Sequence, residues 1–115
     1  VLETFGSEAI SMHFHDTRGL GLTNAFVAYE AGIRQFDSSV GGTGGCPYAP
    51  GASGNVATED MLNMFDEMGI RSGVDQEEIL RTSAWIDDET SIDLRADMYE
   101  YWRRDQQDDD EACVA

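Results

Sequence analysis

Lysine is absent from these 115 residues, and seven basic side chains, all arginine, stand against 23 acidic ones. The formal net charge is −16. Nucleic-acid binding requires a basic face, and this composition supplies none. Self-repulsion at such a charge keeps a chain in solution but opposes compaction unless salt screens it. The pattern is that of a protein adapted to high salt. The plainer alternative is an ordinary acidic surface with a disordered acidic end.

Cysteine is scarce too. Cys46 and Cys113 are too few for a disulfide framework, so a reducing cytoplasm is the expected compartment. No apolar run is long enough to cross a bilayer, and no basic-then-apolar leader is present, which reads as a soluble, unexported chain without a membrane partner. The first residue is Val1 rather than Met, and glycine-rich loop sequence comes early. Both read as a start in the middle of something larger.

What is present follows an α/β order. Residues 8–16, EAISMHFHD, alternate apolar and polar as a strand does, ending near His15. Leu22, Ala25, Phe26 and Tyr29 recur at helical spacing within 19–32, with Gly32 placed to end that helix. IRQFDSSV at 33–40 is again strand-like. A loop from Gly41 to Gly54 then holds six glycines and two prolines, too punctuated for regular structure. After a short strand NVA, Thr58 can cap a helix whose first turn carries Glu59 and Asp60, matching the helix dipole. Met61, Phe65 and Met68 form its apolar stripe, and Gly69 closes it. Strands alternating with helical crossovers imply a parallel sheet. A complete eight-stranded barrel needs roughly 250 residues, so this chain has enough for about its last three strands.

From Asp75 the character changes. Asp75 and Glu78 read as a capping box before Ile79 and Leu80. A further helical stretch carries Ile92, Tyr99 and Trp102, offset from Leu94, Met98 and Tyr101, to pack on the barrel's outside or on a partner subunit. The expected division is a barrel portion at 1–72, a helical extension at 73–104 and an acidic, disordered tail at 105–115.

Several residues have chemistry to offer. His13 and His15 lie one residue apart on the first strand, so both imidazoles point to one face and can reach one metal ion. Two strand histidines also serve purely structural ends. Asp16 and Thr17 can orient an imidazole or cap the next helix. In the loop GGTGGCPYAPGASG, Cys46 has small neighbours, and glycines let backbone approach a ligand closely. Its thiol fits an acid, a base or a nucleophile, and equally an incidental thiol in a linker. Asn55 offers a hard oxygen that suits Mg²⁺ or Mn²⁺ beside two histidines, or it simply makes a turn with Gly54. Asp37, Ser38 and Ser39 end the middle strand, where polar groups either line a barrel's active face or satisfy backbone.

Together these segments resemble one family. HFHDTRGLGLTNAFVAYEAG, then FDSSVGGTGGCPYAPGASGNVATED, are similar to the corresponding run of hydroxymethylglutaryl-CoA lyases, part of a wider group of metal-dependent lyase and synthase barrels. The similarity runs from about residue 10 to about residue 80 and includes GVDQEEIL. HxHDT is shared across the group, whereas the cysteine-bearing loop is far more discriminating.

The resemblance implies a (β/α)8 barrel fold and a lyase splitting 3-hydroxy-3-methylglutaryl-CoA into acetyl-CoA and acetoacetate, a step of leucine degradation. It implies that His13 and His15 are the metal-binding pair and Asn55 a further ligand of Mg²⁺ or Mn²⁺. Gly44, Gly45 and Cys46 belong to the loop that closes over the substrate. Cys46, and His13 or His15, become candidates for proton transfer. The family's further ligands, an aspartate beside a catalytic arginine and a carboxylate on the second strand, have no counterparts in these residues. Implied partners are an acyl-CoA substrate, the remainder of the barrel and a second copy in a homodimer. Thr43 departs from a usually apolar position, and the end from about Trp85 does not resemble the family's. The competing readings are a related acyl-CoA condensing synthase and a non-catalytic truncated fragment.

Overall fold

A computed structural model describes residues 2–44 and 54–114, with side chains described for 3–44 and 54–108. Its helices are α1 (Leu2–Phe5), α2 (Gly21–Glu30), α3 (Thr58–Glu67), α4 (Gln76–Glu89) and α5 (Asp97–Val114). The strands are β1 (Met12–His13) and β2 (Phe36–Asp37), paired in parallel with Met12 opposite Phe36 and His13 opposite Asp37. Two isolated bridges, His15 to Asn55 and Ser39 to Ala57, extend this pairing where a third strand was expected.

The strands are therefore shorter than alternation alone suggests. Residues Ser7–Ala9 form a 3-10 turn rather than the start of a strand. Strand extent depends on a partner's backbone, and among the described residues β1 finds only β2 and the Asn55 segment beside it.

Side-chain alternation nevertheless holds. Phe14 and Phe36 turn towards a core built on buried Ala25, Val56, Met61 and Phe65, while His13, His15 and Asp37 are exposed. Gly21, at the start of α2, lies so close to this core that a Cβ there would come 2.3 Å from the Val56 side chain. Asp16 accepts from the Gly21 N–H at 3.0 Å, so it caps α2. Gly32 has φ +109 just beyond α2, in the left-handed region expected of a helix-ending glycine.

α3 separates two cores. Met61 and Phe65 face the first, as their spacing predicts, with Met68 half-buried beside them. The second gathers Ala57, Leu80, Ala96 and Tyr99, with Leu94, Met98 and Trp102 at its margin. Tyr99 donates to Asp87 at 2.8 Å, tying α5 to α4. Thr58 is not the cap of α3: Ala57 takes that position, and the Thr58 hydroxyl pairs with Ser38 at 2.7 Å. Asp75 does cap α4, accepting from the Glu78 N–H at 3.3 Å, whereas the Glu78 carboxylate turns to Arg81.

Ile92 and Leu94 do not join a helix. The chain runs without regular structure from residue 91 to 96, and α5 begins at Asp97 and continues through Val114, into the acidic run where disorder was expected. Among the described residues no helix is long and apolar enough to cross a membrane.

Candidate active site

The site begins with the pairing of β1 and β2. Register sets Asp37 beside His13, and the carboxylate binds Nδ1 of that ring. This contact raises the His13 pKa above its ordinary 6.5: the hydrogen bond to Asp37 contributes most, desolvation opposes it, and the Asp37 charge and a hydrogen bond with Asn55 add to it.

His15 follows two residues on, and the rings meet edge-on with centroids 5.0 Å apart and planes at 76°. Their Nε2 atoms are 3.3 Å apart. Two donors at that separation can both lie about 2.1 Å from one point, a normal distance for a divalent cation. Asp37, holding Nδ1, orients the ring and leaves Nε2 of His13 for the shared point.

Asn55 arrives from the far side of the glycine-rich loop. The backbone of 54–56 runs against 14–16, with Asp16 N–H donating to Gly54 at 3.3 Å and Val56 N–H to Phe14 at 3.2 Å. This places Asn55 opposite His15. Its side-chain amide donates to the Thr43 carbonyl at 3.1 Å. Two imidazole nitrogens and an amide oxygen form a donor set that suits a divalent ion of intermediate hardness. Among the described residues no group of three His, Cys, Asp or Glu side chains could hold a metal ion.

The two limbs of the loop close tightly at its base. A Cβ on Gly54 would come 2.0 Å from the Gly44 carbonyl oxygen and 2.1 Å from that of Gly42. Gly44 is the last described residue of the first limb; Gly45 and Cys46 lie outside the described residues, as does the Cys113 side chain.

Three candidates, His13, His15 and Asn55, are thus brought together. Two contributors escaped assignment from sequence. Asp37 is legible in the sequence only as a strand-end polar group, and its partnership with His13 needs the strand register. Glu59 matches a helix dipole by position alone, yet it is fully buried and reaches Gly41. A cleft of about 340 Å³ bordered by Tyr29, Phe36 and Phe65 lies on the side of β2 to which Phe36 turns, away from the histidines.

Comparison with known proteins identifies the family of this chain. A family model described as HMGL-like matches residues 3–86, and the chain belongs to that family. It is 49% identical over 88 residues to the hydroxymethylglutaryl-CoA lyase YngG of Bacillus subtilis, covering 76% of this chain and 29% of that protein. It is 41% identical over 86 residues to the (R)-citramalyl-CoA lyase of Chloroflexus aurantiacus, covering 75% and 27% respectively. Among solved structures, the HMG-CoA lyase of Bacillus subtilis aligns with a TM-score of 0.84 at 43% identity, over 89% of this chain and 34% of that one. An HMG-CoA lyase from Acinetobacter baumannii, in complex with coenzyme A and 3-methylmalate, aligns with a TM-score of 0.80 at 44% identity, over 86% and 32%. The likeness to these lyases implies the barrel superfamily. The chain spans about a third or less of the length of these relatives.

Proposed function

We propose that this chain is the C-terminal part of a barrel enzyme that cleaves 3-hydroxy-3-methylglutaryl-CoA to acetyl-CoA and acetoacetate with the help of Mg²⁺ or Mn²⁺. The observation that carries the reading is the convergence of His13 and His15, with Nε2 atoms 3.3 Å apart, beside Asn55, in a chain 49% identical to a hydroxymethylglutaryl-CoA lyase over 88 residues. In this reading residues 1–72 complete a barrel with a preceding portion of the protein, 73–104 form a helical extension, and 105–115 are its acidic end.

His13, His15 and Asn55 would hold the ion. When bound, the ion would acidify the substrate's hydroxyl group and stabilise negative charge on its oxygens. Loss of the hydroxyl proton turns that carbon into the ketone of acetoacetate as the bond to the thioester's α-carbon breaks. The resulting acetyl-CoA enolate then takes up a proton.

Of the two roles carried by His13, ligation is the better supported. Asp37 occupies its Nδ1, so a ring whose Nε2 binds the ion has no nitrogen left to move a proton. Cys46 remains the candidate proton donor to the enolate, with Gly44 and Gly45 letting the backbone approach the substrate.

The test uses the full-length protein that contains this chain. Acetyl-CoA and acetoacetate should form in equal amounts from 3-hydroxy-3-methylglutaryl-CoA with Mg²⁺ or Mn²⁺, and EDTA should abolish the reaction. Cleavage of citramalyl-CoA alone would move the substrate to that of the Chloroflexus relative. Condensation without cleavage would identify a synthase instead. Unchanged turnover in Cys46→Ser would remove the thiol from the mechanism. The isolated 115-residue chain, spanning about a third or less of the length of these relatives, is expected to be inactive.

A further inference from the structure

Glu59 is a buried group that the proposed chemistry does not use. It sits in the first turn of α3 with 0% exposure. Its carboxyl oxygens are divided between neutral donors: the Gly41 N–H at 2.8 Å, and the hydroxyl of Ser83, itself fully buried on α4. A carboxyl group taken out of water with neutral partners is a poor stabiliser, because an apolar side chain of similar volume avoids the desolvation cost. Its effect is better sought in what it holds.

It holds the start of the glycine-rich loop. Gly41 has φ +67, and both its backbone polar groups are engaged, the N–H by Glu59 and the carbonyl by the Arg95 N–H at 2.9 Å. The turn then closes on itself, with Thr43 N–H donating to Val40 at 3.3 Å and the Thr43 and Ser39 hydroxyls paired at 2.6 Å. The Thr43 carbonyl thereby has a set position, and it accepts from Nδ2 of Asn55 at 3.1 Å. An amide that donates through Nδ2 in one direction presents Oδ1 in the other. Asn55 itself is held opposite His15 by backbone pairing.

We propose that Glu59, backed by Ser83, is a positioning residue for the His13–His15–Asn55 site: it anchors the Gly41–Thr43 turn, whose Thr43 carbonyl sets the orientation of the Asn55 amide. The proposal rests on the reading of those three residues as a divalent-cation site. It also gives α4 and the segment leading into α5 a role at the site, since Ser83 lies on α4 and Arg95 lies just before α5, beyond the residues that the family model matches.

The experiment compares full-length wild type with Glu59→Gln and Ser83→Ala. In metal-free protein, amide hydrogen exchange is followed over residues 41–44, together with the NMR resonances of the Asn55 side-chain amide. Mn²⁺ affinity is measured by EPR. Glu59→Gln should speed exchange over 41–44, shift the Asn55 amide resonances and weaken Mn²⁺ binding by about tenfold, the scale found for groups that orient metal ligands. Ser83→Ala should move all three in the same direction by less, and it decides the matter should Glu59→Gln not fold.

A folded Glu59→Gln with wild-type Asn55 resonances and Mn²⁺ affinity would overturn the proposal, even if exchange over 41–44 were faster. Wild type that binds no Mn²⁺ would defeat the cation-site reading instead. The Asn55 resonances of the metal-free variants would then judge the positioning role by themselves.

Discussion

Asp37 stands opposite His13 in the parallel register of β1 and β2, and its carboxylate binds Nδ1 of that imidazole. The contact does two things. It favours the protonated ring, and it holds the neutral ring in the tautomer that leaves Nε2 free for a ligand.

Replacing Asp37 by Asn should therefore lower the His13 pKa towards 6.5, read from its ring resonances in an NMR titration. Because the folded value is raised, the contact contributes stability below pH 6.5 and loses it as pH rises through the folded value. Both groups are exposed, so the effect on overall stability is small. On cation binding the effect is larger: Mn²⁺ affinity in the full-length protein should fall by about 10- to 100-fold in Asp37→Asn. In wild type it should fall as pH drops through the raised value, because proton and ion compete for Nε2.

Asp60 reaches from α3 to the start of α5, accepting from the N–H of Asp97 at 3.1 Å and of Met98 at 2.7 Å. It is a helix cap supplied by another helix. Asp60→Ala should cost about 1 kcal/mol in chemical denaturation. Burial raises the Asp60 pKa above 3.8, while the two backbone N–H groups pull it down. The raised value means that the protonated carboxyl contributes stability, fully present below pH 3.8 and lost as the group ionises with pH climbing through the folded value. Asp60→Asn should remove that part of the pH dependence while keeping an acceptor for α5.

Gly54 is restricted by closeness and Gly69 by conformation, and alanine should separate the two. At Gly69 nothing lies within 4 Å of an added Cβ, and φ is +78, so Gly69→Ala should cost about 1–2 kcal/mol. At Gly54 a Cβ meets two backbone carbonyls at 2.0 and 2.1 Å. Gly54→Ala must part the two limbs of the loop base, moving Asn55 away from His15. Mn²⁺ affinity should drop in Gly54→Ala and stay at the wild-type level in Gly69→Ala.

The charge of −16, with no lysine to offset it, makes stability depend on salt. Raising KCl from about 0.1 M, where the screening length is roughly 10 Å, to about 1 M, where it is roughly 3 Å, should raise the melting temperature of the full-length protein. A flat response would leave the acidic composition without a role in stability.

Much of this was legible in the order of residues. His13 and His15 share a face because strand side chains alternate, and Met61 and Phe65 share one because helical positions four apart coincide. Gly32 and Gly69 end helices by adopting positive φ, as their places after apolar stripes predict. The motifs HFHDT and GGCPYAPGASGN pointed to the family that the comparison then established.

Tertiary structure decided the rest, because the remaining relations join residues far apart in the chain. Glu59 and Asp60 are adjacent acids in one helical turn and look alike as dipole partners, yet their side chains point about 100° apart around the helix. One therefore enters a buried network with Gly41 and Ser83, and the other caps α5. Ile92 and Leu94 continue a helical spacing, but the chain must cross back to α3, so α5 starts only at Asp97. Local sequence determined which way each side chain faces along its own strand or helix. The register of β1 on β2 and the packing of α3 against α4 and α5 decided what each one meets.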